Sequence, residues 1–252
     1  MYEQERPLHI IKRTPGIPTE FPFKCYFATP DDIPEAAPDI IVGMDSGISN
    51  LAFSEIEIIR DPITKSVVDF KYIGSYYFLG ELSKYKSKIQ KQIHIMDLYY
   101  ELFSHKRVIA VGYELLPFTI IKDEKIRAGV LDAQVTTDYI KLVAYQLNHH
   151  MEAIGATKNK FVLTGNGQAD KEEMCQNAYA LTQDDMLLDI DHCADAFALA
   201  FCIFMDMMKQ DSVDHSTPIP SKFSHMTWNF DKKKMPKPTW EQQPYPHNGN
   251  VS

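Results

Sequence analysis

The sequence predicts an α/β protein built on a mixed sheet, three antiparallel strands followed by parallel ones, flanked by helices. Three observations carry this. Residues 40–78 hold short apolar runs separated by turn signals, the pattern of a meander of three strands. Val108 to Tyr113, V-I-A-V-G-Y, is a second short, wholly apolar run of the kind found in buried strands. Most of the rest of 82–209 carries helical periodicity, ending in the strongly apolar A-F-A-L-A-F-C-I-F-M.

The elements follow in order. Ile40 to Ala52, I-I-V-G-M-D-S-G-I-S-N-L-A, opens as an apolar strand, reaches Asp45, and turns at Gly47. Glycine allows the tight turn and leaves room beside it for a ligand. A carboxylate at the end of a buried strand is costly to desolvate unless it is paired or holds a metal; the plain alternative is a turn Asp bonded to nearby backbone. Leu51 to Ile59 alternates, Asp61-Pro62 turns, and Ser66 to Phe78 resumes the strand pattern. Tyr76, Tyr77 and Phe78 read as core or sheet surface before a stacking platform. Leu82 to His105 reads as a helix with an apolar stripe of Ile89, Ile93, Met96, Leu98, Tyr99 and Leu102. Its Lys84, Lys86, Lys88 and Lys91 read as a solvated face first and as phosphate contacts second.

The Val108 strand ends in Glu114, so two buried strands each deliver a carboxylate at their end. Val135 to Ile154 reads as one long amphipathic helix stopped by Gly155. Phe161 to Leu163 reads as a short strand leading into T-G-N-G-Q-A-D-K, which lacks the full P-loop pattern. Asp170 to Leu181 is the next helix. An acidic concentration follows, Asp184, Asp185, Asp189, Asp191 and Asp195. One of Asp189 and Asp191 fits a helix cap. Asp195 does not, because it sits inside the apolar helix that D-H-C-A-D-A begins, on the same face as His192 three residues earlier. Such a carboxylate calls for a metal or a cationic partner.

Three segments are expected: a proline-rich arm at 1–38, a domain at 39–209, and a basic, proline-rich tail at 210–252. The tail's Lys232, Lys233 and Lys234 are candidates for holding nucleic acid. Four cysteines without CxxC spacing read as reduced, buried thiols rather than a zinc site or a disulfide frame. The charged start M-Y-E-Q-E-R-P has no apolar signal core, and no run suits a membrane span. The net charge of -8 argues mildly against a wholesale nucleic-acid coat without excluding a local patch.

Several carboxylates around one point suit hard divalent cations, and paired cations suit phosphodiester hydrolysis. The pieces I-V-G-M-D-S-G-I-S-N-L-A, V-G-Y-E, A-Q-V-T-T-D-Y-I-K-L-V-A, T-G-N-G-Q-A-D-K-E-E-M and D-H-C-A-D-A-F-A-L-A occur in one order over residues 40–205. In that order they resemble the RuvC-type Holliday junction resolvases of the RNase H-like nuclease superfamily. The resemblance implies an RNase H-like fold and a crossover junction endonuclease acting as a homodimer on four-way DNA junctions. It implies Asp45, Glu114 and Asp195 as ligands of magnesium, with manganese as a substitute. His192 would be a further ligand or a water-activating base, and Lys171 would lie near the scissile phosphate. Residues alone leave Asp191 open against His192 as the fourth donor. The family's wedge aromatic falls at Pro117, so Phe118, one residue later, is the candidate for junction contact; Ser46 stands where the family usually has proline. A cytoplasmic or nucleoid-associated location is expected, with a phage-encoded or organellar origin open. The other readings are a nuclease for other branched DNA or for RNA–DNA hybrid, an actin-like ATPase or sugar kinase, and a junction-binding module that does not cut. The kinase reading lacks its second Asp-Gly hairpin and adenosine site. The non-cutting reading would require lost carboxylates, and all are present.

Overall fold

The computed structural model describes residues 33–47, 50–79, 87–116, 124–215 and 219–224. Strands β1 (Ile40–Ser46), β2 (Asn50–Arg60) and β3 (Val67–Leu79) pair antiparallel in succession. Strand β4 (Val108–Leu115) lies parallel to β1, and β5 (His150–Gly155) parallel to β4. The order β3-β2-β1-β4-β5 is the expected mixed sheet, three antiparallel strands and then parallel ones. The β2–β3 turn closes on Asp61, whose Oδ1 accepts from the backbone N–H groups of Ile63 and Thr64 at 2.9 and 2.7 Å.

Helices cover both faces of the sheet, so its central strands are buried on both sides. On one face lie α1 (Lys88–Phe103) and α2 (Glu124–Gln146), packed on Val42, Met44, Phe53 and Val111. Ser87 starts α1 with a reciprocal cap: its Oγ accepts from Gln90 N–H, and its own N–H donates to the Gln90 side chain. The α1 stripe is buried at Ile95, Met96, Leu98, Tyr99, Leu102 and Phe103, while Ile89 of the expected stripe is exposed. Residues 82–86 lie outside the described residues. On the other face lie α3 (Ala156–Thr164), α4 (Lys171–Thr182), α5 (Met186–Asp189) and α6 (Asp191–His215). Helix α6 runs on past Gln210, where the sequence pattern dissolves. Its Phe197, Phe201 and Phe204 pack tilted or edge-on against Phe70 of β3, and Phe204 packs edge-on against Phe223 of the short helix α7 (Ser221–Ser224). Cys175, Cys193 and Cys202 are free and buried, as expected. Among the described residues no helix is long and apolar enough to cross a membrane.

Two expectations are corrected. The helix expected over Val135 to Ile154 starts at Glu124 and ends at Gln146, and 150–155 is strand β5. Asn148, in the left-handed region at φ 57°, turns the chain between them. The error has a physical source. Strand β5 is packed on both faces, with Met151 toward α1 and α2 and Ile154 toward α6. Apolar residues of opposite parity then mimic the spacing of a helix stripe. Phe161, Val162 and Leu163 are not a strand but the buried side of α3, which ends where Gly165 takes φ 76°.

A buried pair behind the sheet makes stability depend on pH. His149 is almost fully buried, and its Nδ1 shares a hydrogen bond with the Tyr99 hydroxyl at 2.8 Å. Burial pushes its imidazole down to about 4. The unfolded chain, with an ordinary histidine, therefore takes up a proton first as pH falls. Stability is full above about 6.5 and is lost between there and about 4. Between pH 7.5 and 5 the loss from this group is about 2 kcal/mol. Urea unfolding of the wild type and His149→Gln at both pH values checks this. The variant is expected to lose less stability than the wild type by that amount, and an equal loss would remove His149 as the cause.

Candidate active site

The site is built where α6 crosses the sheet. A Cβ placed on Gly43 of β1 would lie 1.7 Å from the Ala196 carbonyl oxygen, and one on Gly112 of β4 would lie 2.8 Å from that of Leu199. The two glycines thus let the backbone of α6 rest directly on the sheet. Two residues further along each strand, on the same face, come Asp45 and Glu114. They each follow the pair Met44–Tyr113, the last in the parallel register of β1 and β4, so the two carboxylates leave neighbouring strands at the same level. Asp195 precedes Ala196 in the helix, and His192 lies one turn earlier. One crossing therefore gathers side chains from three elements at the C-terminal ends of β1 and β4.

Asp45 Oδ2 accepts a hydrogen bond from His192 Nδ1 at 2.6 Å. A carboxylate oxygen only accepts, so Nδ1 carries the proton. Tyr77 of β3 stacks on the His192 ring, with centroids 5.8 Å apart and planes at 17°. Lys171, the first residue of α4 after its cap Asp170, pairs with Asp191 Oδ2, and Asp191 Oδ1 lies 4.0 Å from His192 Nε2. Behind the site, Ser46 and Thr137 share a buried hydroxyl–hydroxyl bond of 2.6 Å that ties β1 to α2.

The charges are unevenly balanced. Burial, with the charges of Asp45, Glu114 and Asp191, pushes the Asp195 carboxyl up to about 7. Burial and Asp45 also raise Glu114, against the partial relief of Lys160. The hydrogen bond that His192 donates to Asp45 leads in raising His192, against the cost of burial. Desolvation pulls Asp191 upward, but its bond with Lys171 and the neighbouring His192 outweigh it, so Asp191 ends below the usual carboxylate range. Lys171 is raised by the same pair.

RuvC of Thermus thermophilus superposes with a TM-score of 0.54, covering 68% of this chain and 96% of its own at 19% identity. T. thermophilus RuvC in complex with a Holliday junction substrate superposes with a TM-score of 0.53, covering 67% and 95% at 17% identity. The fold is that of RuvC. No family model matches the chain, and no curated protein sequence matches it. At these identities the likeness speaks for the RuvC fold.

On the RuvC fold, Asp45, Glu114, His192 and Asp195 stand at one end of the sheet, with Lys171 beside them through Asp191. Phe118, Lys232, Lys233 and Lys234 lie outside the described residues. Of the pair left open by sequence, His192 turns to Asp45 and Asp191 turns to Lys171. Among the described residues, no group of three or more His, Cys, Asp or Glu side chains stands in an arrangement that could hold a metal ion. The chemistry of the donor set nevertheless fits one. Three carboxylates gather at one end of the sheet, and two of them, Glu114 and Asp195, are held above their ordinary range by burial and mutual repulsion. Lys171 is taken by Asp191, which leaves these carboxylates as oxygen donors of the kind a hard cation prefers. Four contributors escaped sequence reading. Gly43 and Gly112 had a signal, the repeated Gly-x-Asp and Gly-x-Glu at the two strand ends. Tyr77 was assigned to the sheet. Lys160 had no local signal; its Nζ donates to the Ala169 carbonyl at 2.7 Å, and its charge reaches Glu114 only through the fold.

Proposed function

We propose that this chain is a magnesium-dependent endonuclease that resolves four-way DNA junctions by paired nicks, acting as a homodimer. The observation that carries the reading is the convergence of Asp45, Glu114 and Asp195 from β1, β4 and α6 on one end of the sheet, with Asp195 held near neutrality by burial and by the other two. Asp45, Glu114 and Asp195 would hold magnesium, or manganese in its place. Bound there, divalent cations supply charge neutralisation at the phosphate and activation of the attacking water. The remaining work falls to the chain itself. His192 keeps its Nδ1 proton on Asp45, which leaves Nε2 to take the proton of the attacking water. Lys171 supplies positive charge beside the phosphate once Asp191 shares it with the substrate. Phe118 is assigned to junction contact on resemblance, and the basic run Lys232, Lys233 and Lys234 on composition.

The test is an assay of purified protein on a four-way junction, a linear duplex, a flap and an RNA–DNA hybrid, with and without magnesium. Symmetrical nicks on the junction alone, only with the cation, are expected. Asp45→Asn is expected to lower that rate roughly a thousandfold, about 4 kcal/mol of lost transition-state stabilisation, while junction binding persists. Undiminished cutting by Asp45→Asn in magnesium, or equal cutting of linear duplex, would overturn the reading.

A further inference from the structure

We infer that Tyr77 is a positioning residue for His192, setting the plane of its imidazole over Asp45. The inference rests on the role proposed for His192 and adds a residue to it. Asp45, Ala52 and Tyr77 form one row across the sheet, since Asp45 pairs with Ala52 and Ala52 with Tyr77. Residues directly opposite in antiparallel strands share a face. Ala52 contributes only a methyl group, which leaves space above it, and the His192 ring descends from α6 into that space. It meets the row at both ends, with Nδ1 on Asp45 at 2.6 Å and its flat face on Tyr77, 5.8 Å between centroids and 17° between planes. An imidazole has two side-chain torsions. A single hydrogen bond leaves the ring free to rock about it, and an aromatic face stacked on the ring removes that freedom. Tyr77 is itself held, because its hydroxyl donates to Asn50 Oδ1 at 3.4 Å. With both contacts made, Nε2 is the one ring nitrogen left for proton transfer.

Single-turnover cleavage of a four-way junction and nitrogen NMR of the His192 ring test this together. Tyr77→Phe keeps the stack and is expected to cleave within about threefold of the wild type. Tyr77→Leu, or Tyr77→Val should the first not fold, is expected to lower the cleavage step roughly 10- to 100-fold with junction affinity unchanged. In a His192→Asn background the same substitution is expected to change the rate less than about twofold, since the ring it positions is gone. The wild-type His192 signal is expected to be that of an Nδ1-protonated ring, and Tyr77→Leu to shift it toward a mixture of tautomers. The proposal is overturned if Tyr77→Leu cleaves at the wild-type rate, if its loss is as large without His192, or if the His192 signal is unmoved. If the wild type cuts no junction, the proposed function fails and the NMR result alone decides whether Tyr77 positions the ring.

Discussion

Asp195→Asn is expected to abolish junction cleavage while making the cation-free protein more stable. Burial and the charges of Asp45, Glu114 and Asp191 push this carboxyl up to about 7, against an ordinary aspartate near 3.8. Between those values the folded chain holds a proton that the unfolded chain has released. Stability therefore falls as pH rises through that window, and the cost is complete above about 7. Asparagine removes the charge and with it the cost. At pH 8 without divalent cations the gain is on the order of 2–4 kcal/mol, and at pH 4 it is near zero. Saturating magnesium is expected to reverse the order, because only the wild type gains stability from binding through this carboxylate. Urea unfolding with chelator and with magnesium checks both halves. A variant less stable than the wild type at pH 8 in chelator would mean that the carboxylates do not crowd one another.

Gly43→Val is expected to cost more than about 4 kcal/mol and to remove activity from whatever fraction folds. The added Cβ would lie 1.7 Å from the Ala196 carbonyl oxygen and 2.7 Å from Ala200 N, both backbone atoms of α6 with no side-chain torsion to give way. The helix would have to lift off the sheet, and His192 and Asp195 would leave Asp45 and Glu114 with it. Gly129→Ala in α2 is the control. Nothing lies within 4 Å of its added Cβ, so alanine there is expected to stabilise by up to about 1 kcal/mol. Chemical denaturation of the two variants separates a specific contact of α6 from a general intolerance of glycine replacement. Equal effects at both positions would refute the contact.

Much of this arrangement is legible in the sequence, for reasons that are local. The meander β1 to β3 and the strand β4 announce themselves by short apolar runs and turn residues. Asp45 and Glu114 stand out because each ends such a run, and Asp195 because it interrupts an apolar helix. What escaped depends on pairings that the order of residues along the chain does not display. Strand β5 was hidden because burial on two faces gives it helix-like spacing. Gly43 and Gly112 matter only because α6, some 85–155 residues later, lies on them. Tyr77 reaches His192 through the neighbouring strand β2. Lys160 acts on Glu114 from α3, where Phe161 to Leu163 read as a short strand.

Asp45, Glu114 and Asp195 are proposed to bind the same cations. Anomalous scattering from crystals grown with manganese tests it most directly. A peak bonded to Asp45 and to at least one of Glu114 and Asp195 is predicted, and it should vanish in Asp45→Asn. Manganese bound elsewhere, or bound equally well by Asp45→Asn, would contradict the claim.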